Sequence, residues 1–357
     1  MEMKGLSRTA TTTRVAETPP VAATAAHLLD VRNLTVRYRV AGGVVTAVGN
    51  VSFTVGRGER VGLVGESGSG KTGTCLAVAG FLASNAEVSS ERLMFGDVDL
   101  GGRRAARIPK RVPGLAMVFQ DAGTSLDPVW TIGSQLRSVI RATQKTSRKQ
   151  ATALATDWLR KVGLTDTERV MRSRPYELSG GMAQRAMIAI ALSGTPELLI
   201  ADEPTSALDA SLARDVMKLL VDLTDELGSG LVLVSHDIHL CQEFVDRMLV
   251  MYGGHVVESG YAATLDADAA HPYTQALLRS VPTLDSAGLD ELPTIPLSMT
   301  GQGDPQGGCA FRPRCEYAHD ACSVTPPLIE LPARDPAGAS AACWLADESA
   351  IPAVQVV

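Results

Sequence analysis

Aromatic residues are scarce, at 4% of the 357-residue chain. Proteins that grip single-stranded nucleic acid stack its bases on aromatic rings, so this composition argues against a general single-strand binder. A surplus of positive charge is also missing. Asp and Glu number 39 against 33 Lys and Arg, and the formal net charge is −6. An acidic chain is a poor polyanion binder. No apolar run approaches the roughly 20 residues that cross a bilayer, so the protein is expected to be soluble or membrane-peripheral. Residues 7–27 hold Thr, Ala and Pro but no apolar h-region, and they do not read as a secretion signal. The stretch 1–27 is expected to be a disordered tail, with a cleaved transit segment as the alternative. Without a secretion signal the chain is expected in a reducing compartment, where its six cysteines form no disulfide framework.

Hydrophobic residues make up 45% of the chain, enough for a sizeable core. At roughly 150 residues per domain the length suggests about two domains. Residues 28–40 and 44–55 are β-rich and turn-bounded, and Val31, Leu34, Val36 and Tyr38 largely alternate with polar residues. That pattern predicts half-exposed antiparallel strands. Arg60–Val64 reads as a short strand, and a tightly packed helix is expected from Thr72 onward. Residues 147–162 read as a helix with Leu154, Trp158, Leu159 and Val162 on one face. Leu198–Ala201 and Leu231–Val234 are continuous apolar runs, as in buried parallel strands. Between them Leu212, Val216, Leu219, Leu220, Leu223 and Leu227 fall on one helical face. Alternating strands and helices imply a parallel sheet with helices on both faces. Residues 281–308 are rich in Pro and Gly and read as a linker to a cysteine-bearing tail.

Gly65-Glu66-Ser67-Gly68-Ser69-Gly70-Lys71-Thr72 matches the P-loop pattern in full, after a strand and opening a helix. Glycines let successive backbone N–H groups curl around a phosphate, and the helix dipole adds positive charge at the same point. Lys71 supplies a full charge to the β- and γ-phosphates, and the Thr72 hydroxyl is placed for Mg²⁺. A plain glycine-rich turn is the bland alternative, but Lys-Thr in register argues against it. Asp202 and Glu203 end an apolar strand, where an acidic pair is costly unless it serves a site. Asp202 is expected to hold Mg²⁺ through water and Glu203 to polarise the attacking water. The basic run Arg103–Arg111 reads as a solvated face rather than a nucleic-acid site.

Leu178-Ser179-Gly180-Gly181-Met182-Ala183-Gln184-Arg185 resembles the signature motif of ATP-binding-cassette (ABC) ATPases. Ser206-Ala207-Leu208-Asp209 resembles their D-loop, and Ser235-His236-Asp237 stands where the family has its switch histidine. Gln120 stands at the Q-loop and Tyr38 where an aromatic stacks on adenine. The order and spacing agree over about residues 28–260. The resemblance implies an α/β P-loop ATPase core with a parallel sheet flanked by helices. It further implies an N-terminal antiparallel β-subdomain, an inserted helical subdomain near 122–192 and a C-terminal cysteine-bearing extension over 261–357. It implies ATP and Mg²⁺ as ligands. Glu203, His236 and Gln120 would be catalytic. The loop from Gly65 to Thr72 would bind nucleotide with Tyr38, Asp202 and Asp209. Thr72, Gln120 and Asp202 would hold the metal. Ser179, Gly180 and Gly181 would meet the γ-phosphate held by a second subunit. One P-loop and one signature per chain then require pairing with an identical or homologous chain. His27, His239, His255, His271 and His319 show no ligand spacing and are expected to be structural. Cys75 reads as a small buried hydrophobe.

The segment Ala270–Leu278, with His271-Pro272-Tyr273, resembles that of oligopeptide, dipeptide and nickel importer ATPases. Ala122 and Asp127 depart from that branch, which often has Pro and Asn there; both lie away from the chemistry. Cys309, Cys315, Cys322 and Cys343, with Pro-Arg before Cys315 and Trp after Cys343, resemble its C-terminal motif, in which some members carry an iron–sulfur cluster. Four thiolates bind either zinc or a cluster. Zinc ribbons bring ligands in pairs about two to four residues apart. The wider spacing here leans towards a four-iron four-sulfur cluster, with zinc and unligated thiols as the other readings. The expected function is the ATPase subunit of an importer for peptides or similar small solutes. It would sit on the cytoplasmic face of the membrane with two membrane-spanning permease subunits, and indirectly with an extracytoplasmic solute-binding protein. No nucleic-acid partner is expected. The alternative is a soluble cassette ATPase of translation or DNA repair. Translation proteins usually carry two cassettes per chain and repair proteins carry long insertions, and neither feature is present.

Overall fold

The computed structural model describes residues 27–101, 112–206, 208–280, 295, 307–331 and 338–346. The expected tail, apart from His27, the basic run Arg103–Arg111, and most of the Pro- and Gly-rich stretch lie outside the described residues.

The amino-terminal part is an antiparallel sheet. Strand β1 (Leu29–Val40) pairs with β2 (Gly43–Val55), β4 (Ala86–Ser89) and β5 (Arg92–Phe95), and β5 pairs with β6 (Val98–Asp99). Val31 and Leu34 are both buried although three positions apart. A register shift falls between them, and Asn33 adopts a left-handed φ of 51°. The extra residue of this bulge returns Leu34 to the core face. The Asn33 N–H finds its partner in Ser52 Oγ at 2.9 Å.

The second sheet has eight strands among the described residues. Five run parallel: β7 (Leu115–Val118), β8 (Leu198–Asp202), β9 (Gly230–Ser235), β3 (Arg60–Val64) and β10 (Arg247–Tyr252). The sequence predicts parallel strands only. The structure adds β11 (His255–Tyr261), β13 (Ser340–Ala341) and β12 (Ile329–Glu330) antiparallel at the β10 edge. β13 thus pairs with the otherwise open edge of β11.

Among the described residues ten helices accompany the strands: α1 (Lys71–Ala79), α2 (Ala122–Ser125), α3 (Ile132–Thr143), α4 (Arg148–Lys161), α5 (Thr167–Arg172), α6 (Gly180–Leu192), α7 (Ala210–Leu227), α8 (Ile238–Gln242), α9 (Leu265–Asp268) and α10 (Pro272–Arg279). Leu199, Ala201, Leu231 and Leu233 point into a core shared with α6, α7, α8 and α10. Their neighbours Leu198, Ile200, Val232 and Val234 point into a second core, made with α1 and the antiparallel sheet. Both faces of the central strands are therefore buried, which is why these strands read as unbroken apolar runs. Helices lie on both faces, as expected; on one of them α1 shares the cover with the antiparallel sheet.

The insert between β7 and β8 is the helical unit α2–α6. A capping box at Ser147 and Gln150 starts α4, which buries Ala151, Ala155, Trp158 and Leu159. Leu154 is only half-buried. On α7 Ala213, Val216, Met217, Leu220, Val221, Leu223 and Thr224 are buried, whereas Leu212 is exposed at 44%. Leu212 lies in the first turn, where Asp209 caps the helix and the chain has not yet reached the core.

Candidate functional site

The segment from Gly65 to Gly70 links β3 to α1 and is pressed between two other strands. Gly65, Gly68 and Gly70 have φ of 146°, 81° and 102°. A Cβ on Gly65 would lie 2.1 Å from the Met251 carbonyl oxygen, and one on Gly70 would lie 2.7 Å from that of Ala47. Only glycine fits this path. Gly70→Ala is expected to lower stability by about 1–3 kcal/mol through backbone strain alone. It should also weaken phosphate binding. Urea unfolding and a nucleotide titration check both; native values in each would mean that the loop tolerates a side chain.

Lys71 is the first residue of α1 and is 4% exposed. Its Nζ donates to the carbonyls of Gly65 at 2.8 Å and Glu66 at 2.9 Å. Burial lowers its pKa from the ordinary lysine value, against the opposing pull of Glu203 and Asp202. A phosphate entering the loop would exchange these neutral acceptors for charge-assisted bonds. Thr72 Oγ1 donates to Asp202 Oδ1 at 3.1 Å. Burial raises the Asp202 carboxyl above its ordinary value; the Thr72 hydrogen bond opposes this and the Glu203 charge adds to it. Hydroxyl and carboxylate oxygens are donors that suit a hard divalent cation such as Mg²⁺.

Glu203 follows directly, with a left-handed φ of 43°. Strained backbone of this kind persists where the surroundings hold it, and it clusters at functional sites. Gln120 Nε2 donates to Glu203 Oε2 at 3.0 Å, and His236 Nδ1 lies 3.5 Å from the same oxygen. The strand ends at β7, β8 and β9 thus bring Gln120, Asp202, Glu203 and His236 to one place, next to Lys71 and Thr72.

Other expected site residues lie elsewhere. Tyr38 is half-buried on β1, opposite Val45 of the strand whose Ala47 touches Gly70. Ser179 caps α6 by accepting from the Met182 N–H, and a Cβ on Gly180 or Gly181 would meet open space. Asp209 caps α7 through the N–H groups of Ser211 and Leu212, both at 3.1 Å. Ser67 and Gly68 are exposed at the loop tip, and Ser69 is buried. Glu66 differs most from expectation. Its N–H donates to Tyr273 Oη at 2.8 Å, and its carboxylate is gripped by Arg314 at 2.8 and 3.0 Å.

Sequence reasoning missed Arg314, Tyr273 and Gln184 as parts of this region. Gln184, inside the signature segment, donates from Nε2 to the Pro204 carbonyl at 2.7 Å, tying α6 to the residue after Glu203. Of the histidines, His271 is buried and accepts from the Tyr273 N–H, and burial pushes it down to about 3.

Cys309, Cys315, Cys322 and Cys343 are free thiols lining one recess with His271 and Trp344. Burial pushes Cys309 up to about 11, and the three neighbouring thiols add to the rise. Among the described residues, no set of three or more His, Cys, Asp or Glu forms a group that could hold a metal ion. The expected cluster is therefore not supported by a convergent ligand set, although its four cysteines share one recess. No helix among the described residues is long and apolar enough to cross a membrane.

A glycine loop between a buried strand and a helix, with a carboxylate pair at a parallel strand end, defines the P-loop ATPase class of α/β proteins. The sequence profile of the ABC transporter family matches residues 48–206, and that of the oligopeptide/dipeptide transporter C-terminal region matches 257–322. The chain is 39% identical over 327 residues to a probable peptide ABC transporter ATP-binding protein of Sinorhizobium fredii, covering 90% of this chain and 96% of the relative. It is 39% identical over 306 residues to the dipeptide transport ATP-binding protein DppD of Escherichia coli, covering 85% and 93%. Among solved structures, a post-hydrolysis dimeric ATP-binding cassette with ADP and phosphate superposes with a TM-score of 0.53 at 29% identity, over 66% of this chain and 98% of that one. A component of the cbiONQ transporter complex of Clostridium perfringens gives 0.55 at 26% identity, over 68% and 91%. The chain belongs to the ABC transporter family, as one of its ATPase subunits.

Proposed function

We propose that this chain powers an importer of peptides or similar small solutes, as one half of a nucleotide-sandwich dimer on the cytoplasmic face of two membrane-spanning permease subunits. An extracytoplasmic solute-binding protein delivers the solute to those subunits. The cassette spans residues 28–260, with its helical subdomain near 122–192, and 261–357 form the extension. The observation that carries the ATPase site is the convergence of Gln120 and His236 on Glu203, beside Lys71, Thr72 and Asp202. The peptide-type solute is supported by the relatives and by the oligopeptide/dipeptide profile over 257–322.

ATP binds with its phosphates in the loop from Gly65 to Thr72 and its adenine against Tyr38. Thr72, Asp202 and Gln120 would hold Mg²⁺, which would supply positive charge to neutralise the phosphates. Lys71 reaches the β- and γ-phosphates. Glu203 takes the proton of the attacking water, and His236 contacts the γ-phosphate. Ser179, Gly180 and Gly181 present the positive end of α6 to the γ-phosphate on the partner chain, and Asp209 lies at the same interface. Loss of the γ-phosphate removes the charge that joins the two chains, and they part. The test is recovery of the chain from detergent-solubilised membranes together with two integral membrane proteins. Vesicles holding the assembly should then take up a labelled peptide only with ATP. Recovery with ribosomes or repair proteins would replace the importer reading.

The four C-terminal cysteines hold a four-iron four-sulfur cluster in this proposal. What supports it is the shared recess. A zinc ion needs its sulfurs about 2.3 Å from one point, and a multi-iron cluster spreads them more widely. When bound, the cluster would cross-link a segment with little apolar surface. Anaerobic purification is expected to yield brown protein with iron and acid-labile sulfide, and Cys315→Ser should bleach it while ATP binding persists. Colourless protein with stoichiometric zinc would make this a zinc site, and absence of both metals would leave free thiols.

A further inference from the structure

Glu66 is an acidic residue inside a loop built to receive phosphate. Left to itself, its carboxylate would repel the ligand. The structure turns it away. Arg314 Nη1 and Nη2 donate to the two oxygens of Glu66 at 2.8 and 3.0 Å. The pair joins residues 248 positions apart, and the Arg314 side chain is only 7% exposed. The guanidinium also donates to Tyr252 Oη at 3.3 Å and lies over the rings of Tyr252 and Phe311 at 5.6 and 5.9 Å. Those rings pack with Tyr273, whose hydroxyl accepts the Glu66 N–H. With Lys71 on its carbonyl, Glu66 is held at its N–H, carbonyl and carboxylate. Two of the three holds come from the chain beyond 260.

We propose that Arg314 is a positioning residue of the phosphate loop, and that through it the cysteine-bearing extension sets the affinity for ATP. The fork of a guanidinium fixes both the charge and the direction of a carboxylate, which a lysine ammonium does not. Arg314 lies between Cys309 and Cys315, in a short turn where the Cys315 N–H donates to the Arg312 carbonyl and the Cys309 N–H to that of Cys322. Order in the cysteine segment therefore determines where the guanidinium stands. Without it, the Glu66 carboxylate is free to swing towards the phosphates, and the loop loses one of its holds. The inference rests on the reading of this loop as the ATP site.

The experiment uses the full chain and compares Arg314→Gln, Arg314→Lys, Glu66→Gln and the Arg314→Gln/Glu66→Gln double variant. Affinity is read with ATP under non-hydrolysing conditions, KM and kcat from phosphate release, and fold integrity from thermal melting. Arg314→Gln is expected to raise the ATP Kd and KM by about 5- to 150-fold, the usual span of coupling between sites, with kcat little changed. Glu66→Gln removes the carboxylate charge and is the reference against which the double variant is read. The double variant should recover much of the loss, because no unpaired carboxylate is left beside the phosphates. A merely structural arginine would lower the melting temperature without that recovery. Arg314→Lys keeps the charge and is expected to fold, with a smaller rise in KM; a folded Arg314→Lys of native KM overturns the proposal even if Arg314→Gln does not fold. Native affinity in Arg314→Gln, or a loss that Glu66→Gln leaves untouched, also overturns it. Failure of the native chain to bind ATP would overturn the site reading itself, which distinguishes the two.

Discussion

Glu203→Gln is expected to bind ATP almost as the native chain does while turnover falls by about 10²- to 10⁴-fold, the usual worth of a positioned general base. The substitution keeps the shape of the side chain and one carbonyl oxygen to accept from Gln120 Nε2, now at 3.0 Å from Glu203 Oε2. It removes the basicity that takes a proton from water. Binding contacts from Lys71 and Thr72 are untouched. With ATP bound and not consumed, the closed dimer should accumulate and appear in size-exclusion chromatography. Lys71→Ala makes the contrast. It deletes a buried ammonium whose site is otherwise lined by loop carbonyls, so nucleotide binding itself should fall. Near-native phosphate release by Glu203→Gln would remove Glu203 from the role proposed for it.

The second large effect is a recovery. Ser179→Arg and Lys71→Ala chains should each be almost inactive alone, yet their mixture should regain ATPase activity. Ser179 caps α6 and opens a helix end whose two glycines face open space. An arginine there removes the cap and fills the space where a partner's γ-phosphate would come. In the mixed dimer one composite site carries both defects and the other carries neither. Activity then reappears, provided that one intact site turns over and that the two chains pair as equals. Where the native partner is a homologous chain, the same pair of substitutions is divided between the two subunits. A homodimer in which Ser179 meets the phosphate of its own chain would end the proposal of a shared site.

The nucleotide loop was legible because its geometry is local. Gly65, Gly68 and Gly70 take left-handed or wide φ values within one turn of chain, and Lys71 and Thr72 follow at the helix start. The acidic pair Asp202-Glu203 was legible for a related reason: a buried parallel strand carries no charge until its end, where the site lies. The central strands were readable as apolar runs, but not what covers them. Leu198 and Leu199 look alike in sequence and point into different cores.

Length and charge are sums over the sequence, and the strand runs, the phosphate loop and each motif between Gln120 and His236 were determined by the sequence itself, since each such pattern rests on neighbours a few residues apart. Only the tertiary structure decided that Leu212 stays exposed, that β12 and β13 extend the main sheet, and that the four cysteines share a recess. It also set the Glu66 N–H on Tyr273 and the Glu66 carboxylate on Arg314. These depend on which distant segments meet, and an arginine 248 positions from its carboxylate leaves no periodicity or spacing by which the pair could be found.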